Sequence, residues 1–461
     1  MDVKAILNNL VTKGPIETWH ISQVNRDRRR HEREFEKYYI ERPFLNLSDE
    51  AREAYLLKVF EREKAFQAKY PDLYKKYLRE MRRLYVKERI PALYEEVSKA
   101  DVKDKVIFME SGNSPSPTSS HISKVMIEEG KYDVHFAGLK IRAVSNLEFY
   151  ENAMAFIEDM GDAKAVFLST ANDLLSHFDV RPETKVIQLW HGVGVFKKVG
   201  HSTVNSKNFG KSLAARQEYD QYRNYSYVTI AAAEQSWIFE ESMNISKDSG
   251  VIVPVGVSRT DVFYDENYFT EAKKKLLDMF PQIGDKKIIL YAPTFRGKVE
   301  EALAPDQLDV EAFAASLSDE YVLLIKHHGL SKKIPPVPEA LDNVFAFDVS
   351  KRKEMGIEEM LAVADICITD YSSLAFEYAI MERPLVFYAY DLEEYIDDRG
   401  LYYNYDEITP GPVCKTNEEM IDYIVNIETR FDKQEIIDFK NKHVGACDGH
   451  ATERTLQLLE N

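Results

Sequence analysis

The sequence predicts an α/β protein in which two Rossmann-like domains face one another across a cleft, preceded by a helical region. Three observations carry that expectation. From residue 105 onward short β-rich runs alternate with helical stretches, these runs fall into two series, and the first hundred residues have a different texture. A chain of 461 residues also exceeds the usual size of one domain. We therefore divide it at 1–103, 104–256 and 257–461, with the last helix free to cross back.

The first region is dense in Arg, Lys, Glu and Tyr and almost free of glycine, and "LSDEAREAYLLKVFEREKAF" opens on a Ser48-Asp49 cap signal. Over 73–90, Tyr74, Tyr77, Leu78, Met81, Leu84 and Tyr85 recur at helical spacing, while Lys75, Lys76, Arg79, Arg82, Arg83, Lys87 and Arg89 cover the other faces. That basic amphipathic helix is either a solvated surface or a face for anionic lipid headgroups or a polyanionic acceptor.

The first strand series reads "KVIFMES", "YDVHFAG", "IRAVS", "AKAVFLST", "KVIQLW", "SYVTIAAA" and "GVIVPVG". After the helical "YFTEAKKKLLDMF" the second reads "KKIILYAPTF", "EYVLLIKHH", "VFAFD", "ADICITDYSS" and "RPLVFYAY", with the boundary near 256 to 285. Uniformly apolar runs between helices imply parallel sheets covered on both faces. "GNSPSPTSSH" at 112–121 reads as a loop after the first strand, a lid or a long turn.

Composition excludes several classes. A hydrophobic fraction of 44% fits a globular protein, and no run of about 18 uncharged apolar residues is present to span a bilayer. The N-terminus lacks a basic segment followed by an apolar one, so a cytoplasmic location is expected. A net charge of -17 argues against a nucleic-acid protein. Cys367, Cys414 and Cys447 lack the spacing of a zinc site and read as reduced packing residues. No metal motif and no Walker-type loop is found, and no cofactor is called for.

In open α/β sheets ligands sit beyond the carboxyl ends of the strands. His191 and Gly192 follow "KVIQLW", where a histidine neutral near pH 7 can serve as a general base or can simply be satisfied locally. Lys197 and Lys198 offer charge to a phosphate or are merely solvated. The second series ends in Thr294 and Arg296, in Lys326, His327 and His328, and in Thr369, Asp370, Ser372 and Ser373. "SSLAFEYAIM" is helical, so Ser372 and Ser373 fall at a helix N-terminus, an anion site or an ordinary cap, and Glu377 lies one turn on, facing a ribose or solvent. A cleft so furnished suits transfer of a group whose leaving portion is a nucleoside phosphate.

"QLWHG", "APTFRG", "ADICITDYSSLAFEYAIMERPLVFYAYDLEEYIDDRGLYYNYDEITPGP" and "DGHATER", in that order over about residues 105 to 456, together resemble the CDP-glycerol glycerophosphotransferase family of teichoic acid primases and polymerases. The resemblance implies a GT-B fold and an enzyme attached peripherally to the cytoplasmic face of the cell membrane. It would move glycerol phosphate or ribitol phosphate from CDP-glycerol or CDP-ribitol to a lipid-linked or polymeric acceptor, releasing CMP, in teichoic acid or capsule synthesis. It further implies that His191 deprotonates the acceptor hydroxyl and that His328 meets the donor pyrophosphate with Arg296, Lys326, Thr369, Ser372 and Ser373. Glu377 would meet the ribose. Here Gly329 replaces the family's proline after His328, and His327 precedes it, so either histidine can be the one in the cleft. "GVSRTD" resembles the family's "GxPRxD" with Ser258 in place of proline and with Arg259 and Asp261 retained. The alternatives are a GT-B glycosyltransferase using a nucleotide sugar, and an inactive scaffold.

Overall fold

The structure, a computed structural model, describes residues 23, 26, 29, 30, 33, 48–69, 71, 74, 83–112, 114–139, 145–204, 213, 216, 220–297 and 301–460. The chain divides into two compact units, one of residues 1–96 and 139–158, the other of 97–138 and 159–461.

In the first unit the Ser48 hydroxyl accepts the Ala51 amide at 3.4 Å at the start of the helix Asp49–Lys69. Buried Glu63 accepts the Tyr74 hydroxyl at 2.8 Å. The expected single helix over 73–90 is only partly described: Lys75, Lys76, Arg79 and Arg82 lie outside the described residues, and of the basic set Lys87 is exposed. Its end is wound differently, as a π-helix over Arg83–Arg89 followed by an α-helix at Ile90–Val97. Pro91 explains the change, because it lacks the N–H that an α-turn would direct at Lys87 and its ring crowds that carbonyl. Tyr85 stacks on Tyr150 at 4.6 Å, which ties this turn to the helix Asn146–Met160.

The second unit holds two parallel six-stranded sheets. The first contains β1 (Lys103–Glu110), β2 (Asp133–Gly138), β3 (Ala163–Leu168), β4 (Lys185–Gln188), β5 (Tyr227–Thr229) and β6 (Ile252–Val253), in the order β2-β1-β3-β4-β5-β6. The second contains β7 (Lys287–Tyr291), β8 (Tyr321–Ile325), β9 (Ala346–Asp348), β10 (Ile366–Thr369), β11 (Leu385–Tyr388) and β12 (Val413–Cys414), in the order β12-β11-β10-β7-β8-β9. All strands run parallel, but the edge toward which successive strands are added switches between β1 and β3 in one sheet and between β7 and β10 in the other, and crevices open at such switch points.

The expected strand "IRAVS" falls on 141–145, of which only Ser145 is described. "GNSPSPTSSH" is not a loop throughout: a helix occupies Pro117–Glu129, with Pro117 at its first turn and the Ser116 hydroxyl accepting the Ser119 amide at 3.3 Å. The helix expected after Thr369 is short, Leu374–Ala379, with Ser373 at its N-cap and no side-chain capping bond.

One hydrophobic core runs from the loop after β4 (Val193, Phe196) through Val257 to β7, β10 and the helix Leu374–Ala379. The opposite face of the second sheet packs on the helices Val310–Leu317 and Asn417–Val425. Leu458 and Leu459 pack with Val106 and Phe108 in the core of the first sheet. The helix carrying that segment, Ala451–Gln457, starts where the Asp261 carboxylate accepts the amides of Ala451 and Thr452 at 3.0 and 2.7 Å.

Candidate active site

The loop after β4 is shaped by its sequence. Buried Gln188 accepts the Trp190 amide at 2.9 Å and donates to the Tyr225 hydroxyl at 3.0 Å. Trp190 is thereby held at φ 60°, a left-handed conformation that costs a non-glycine residue about 1 kcal/mol or more. The turn sets the His191 ring against the Trp190 ring at 4.5 Å. The two glycines that follow allow the loop to lie on the segment after β10. A Cβ on Gly192 would stand 3.3 Å from the Ser373 hydroxyl, and one on Gly194 would stand 2.2 Å from the Phe376 ring. The two sheets' strand ends meet at these contacts.

His191 is exposed. Protein crowded around the ring, then the positive charges of Arg259 and Lys197, push its pKa down to about 4, while a hydrogen bond with the Ser169 backbone works the other way. The imidazole is therefore neutral and able to accept a proton at ordinary pH. Ser169 is itself held by buried Glu110 at the end of β1, whose carboxylate accepts the Ser169 hydroxyl at 3.0 Å and the Ser116 amide at 3.2 Å.

Lys197 lies further along the same loop, its Nζ 5.9 Å from the centre of the Tyr395 ring. Desolvation and the nearby Arg399 and Arg296 push its pKa down to about 8, against the pull of Asp370. Its backbone is fixed by a bridge to Leu401 and by the Lys198 amide, which donates to the Gly400 carbonyl at 3.0 Å. The Lys198 side chain is exposed.

The structure separates the two adjacent histidines. His328 shares electrostatic surroundings with Lys197, Lys326 and Asp370, and burial followed by the two lysine charges holds it below the ordinary histidine value. Its Nδ1 accepts the Leu330 amide at 3.2 Å and its ring lies 5.0 Å from Phe295. His327 is 4% exposed and turns to the opposite face of the sheet, edge-on to Tyr291, where it lines a separate cavity of about 320 Å³ beside Pro305 and Pro336. Alternation along β8 accounts for this, since Ile325 and His327 share one face while Lys326 and His328 share the other.

Several residues expected at the donor have partners within the protein. Arg296 binds Asp370 at 2.9 Å and Asp391 at 3.0 Å, with its guanidinium 5.2 Å from the rings of Tyr371 and Tyr395. Asp370 also accepts the Thr294 amide at 2.9 Å and the Thr294 hydroxyl at 3.1 Å. Buried Thr369 donates to the Ala292 carbonyl at 2.8 Å, and Lys326 donates to the Ser350 carbonyl at 2.9 Å. Glu377 does not lie open toward a ribose or solvent: it is 3% exposed and ion-paired with Arg259, and burial pushes its carboxyl up to about 7. Ser372 and Ser373 remain half-buried, Ser372 accepting the Leu374 amide at 3.4 Å.

His191, Lys197, His328, Ser372 and Ser373 thus gather where the two strand-end regions meet. Glu110, Ser169, Arg259 and Arg399 had not been singled out as site residues. A chargeable residue closing the apolar run of β1 could have flagged Glu110, and Arg259 stands in the retained "GVSRTD" turn; nothing local marks Arg399.

Residues 93–461 match the family model of CDP-glycerol:poly(glycerophosphate) glycerophosphotransferase. The chain is 33% identical over 308 residues to a teichoic acid poly(ribitol-phosphate) polymerase of Bacillus spizizenii, an alignment covering 66% of this chain and 48% of that one. It is 34% identical over 303 residues to a teichoic acid glycerol-phosphate primase of Bacillus subtilis, covering 66% and 74%. The chain thus spans about half the length of the polymerase it matches. Its fold is similar to that of the wall teichoic acid polymerase TagF, with a TM-score of 0.65 at 22% identity over 84% of this chain and 97% of that one. With a family model spanning both sheets and the whole strand-end constellation, this chain belongs to the CDP-glycerol:poly(glycerophosphate) glycerophosphotransferase family.

Proposed function

We propose that this chain transfers glycerol phosphate or ribitol phosphate from a CDP-alditol to a hydroxyl of a lipid-linked or polymeric acceptor, releasing CMP, with its two sheets arranged as the halves of a GT-B enzyme. The observation that carries the reading is the neutral, accessible His191 held beside the turn bearing Ser372 and Ser373. In this reading the acceptor hydroxyl gives its proton to His191 as its oxygen attacks the β-phosphorus. A new P–O bond forms, the bond from the β-phosphorus to the bridging oxygen breaks, and CMP leaves with that electron pair. Lys197, His328 and the hydroxyls of Ser372 and Ser373 offset the charge that builds on the phosphates. Arg296 keeps Asp370 and the turn in place. Such an enzyme works at the cytoplasmic face of the membrane, where a lipid-linked acceptor is presented; among the described residues no helix is long and apolar enough to cross a bilayer.

The test is CMP release by purified protein given CDP-glycerol, CDP-ribitol or UDP-sugars with candidate acceptors, and sizing of the product. His191→Ala should cost about 10³-fold in turnover while donor binding persists, in the range expected for loss of a general base. Turnover of a UDP-sugar but of neither CDP-alditol, or a His191→Ala variant of normal rate, would overturn the reading.

A further inference from the structure

The cavity of about 320 Å³ beside His327 lies at the carboxyl ends of β7 and β8, on the face of the sheet away from His328. Its volume falls at the lower end of the range of small-molecule sites, roughly 300–1,000 Å³. Buried Tyr291, Val310 and Ile325 line it, together with Pro305, Pro335, Pro336 and Pro338. Proline has no N–H, so those four residues add carbonyl acceptors to the wall and no main-chain donor. His327 sits among these apolar groups with 4% of its surface exposed, and its Nδ1 finds no hydrogen-bond partner among the described residues. A buried ring nitrogen without a partner is destabilising, so packing alone accounts poorly for a histidine where a phenylalanine would fill the same space. Burial, against the pull of Asp348, holds the ring below the ordinary histidine value, which leaves a neutral imidazole with one acceptor nitrogen.

Charge selects the kind of ligand. Asp306, Asp309 and Glu311 are exposed where they line the cavity, and among the described residues around it there is no lysine or arginine. The helix Val310–Leu317 starts there, and its N-terminus carries about half a positive charge. Asp309 meets that charge by accepting the Ala312 amide at 2.9 Å. Set against three carboxylates, the half charge leaves the mouth negative, so phosphates and carboxylates are repelled and a cation is drawn in. We propose that this cavity binds a small organic amine with a flat apolar body, which packs on Tyr291 and the prolines, gives a ring N–H or hydroxyl to His327, and leaves its ammonium group among Asp306, Asp309 and Glu311. The site is independent of the transfer reaction proposed above, whose substrates are anionic.

Tryptamine, tryptophol and indole-3-acetate share one indole body and differ in the charge of the end group, and each can be titrated against the purified protein by ligand-observed NMR. Tryptamine should bind with a Kd of about 1 mM or below, within reach of a ligand of its size. Tryptophol should bind about threefold more weakly, and indole-3-acetate at least about tenfold more weakly. Asp306→Asn combined with Glu311→Gln alters only exposed side chains, and should weaken tryptamine about fivefold while leaving tryptophol within about twofold. His327→Phe keeps a ring beside Tyr291 and removes the acceptor, so it should weaken both ligands about fivefold without lowering the thermal midpoint. If that variant does not fold, the exposed pair still decides. Absence of saturable tryptamine binding up to about 10 mM overturns the proposal. So does indole-3-acetate binding as tightly as tryptamine, or a tryptamine affinity unchanged in the Asp306→Asn, Glu311→Gln protein, which would place the amine elsewhere.

Discussion

The strand ends of the two sheets carry polar residues for opposite reasons. After β4, His191 and Lys197 have few partners, sit among like charges and are both depressed in proton affinity. After β7 and β10, Arg296, Asp370 and Thr294 bond to one another, and Thr369 donates to the Ala292 carbonyl. A polar residue at a strand end is thus not by itself a substrate contact. In the proposed reaction the groups given to chemistry are those without a neutralising partner, and the paired ones form the wall beside them.

That contrast can be attacked at each of its parts. Arg296→Ala strikes the neutralised side and leaves Asp370 buried without its cation, which should cost about 3–5 kcal/mol of stability, read as a fall in the thermal midpoint. A loss confined to KM, with stability intact, would make Arg296 a donor contact instead. Lys197→Met strikes the other side and should leave the fold nearly unchanged while lowering turnover by about 10²-fold, as loss of one charge-stabilising donor does. Lys197 is protonated, and active, below its pKa of about 8 and loses its charge above it, so the rate of the unaltered protein should fall above that pH. The variant's profile should lack that limb. Gly194→Ala tests the junction between the two regions. The added methyl meets the fully buried Phe376 ring, so about 1–3 kcal/mol of stability should be lost, with activity falling in parallel. Lys198→Ala is the smallest change, and an exposed side chain should alter stability by no more than about 0.5 kcal/mol and CMP release by less than about twofold.

Much of this was legible in the sequence because it is local. Strand runs, the turn glycines and the Ser116-Pro117 helix start are each written within a few residues, although the serines and prolines of the last also suit a turn. The choice between His327 and His328 was present in the period-two alternation of β8, but only once the face occupied by Ile325 is known. The Arg259–Glu377 pair joins residues 118 positions apart, and Glu110 reaches Ser169 across 59; no periodicity links such positions. The internal carboxylates of Arg296 were not legible for a different reason, since a cation in a motif suggests an external anion and Asp370 and Asp391 lie far along the chain.

The seating of Gly192 and Gly194 on Ser373 and Phe376 has a consequence for engineering. The loop that carries the proposed base and the turn proposed to hold the donor were shaped against each other to within an atomic radius. A chimera that takes one half of the molecule from a relative with a bulkier residue opposite these glycines would inherit both sets of functional groups intact and still misalign them. Donor preference is therefore better exchanged by transplanting the loop after β4 together with the turn and helix after β10 than by swapping whole domains.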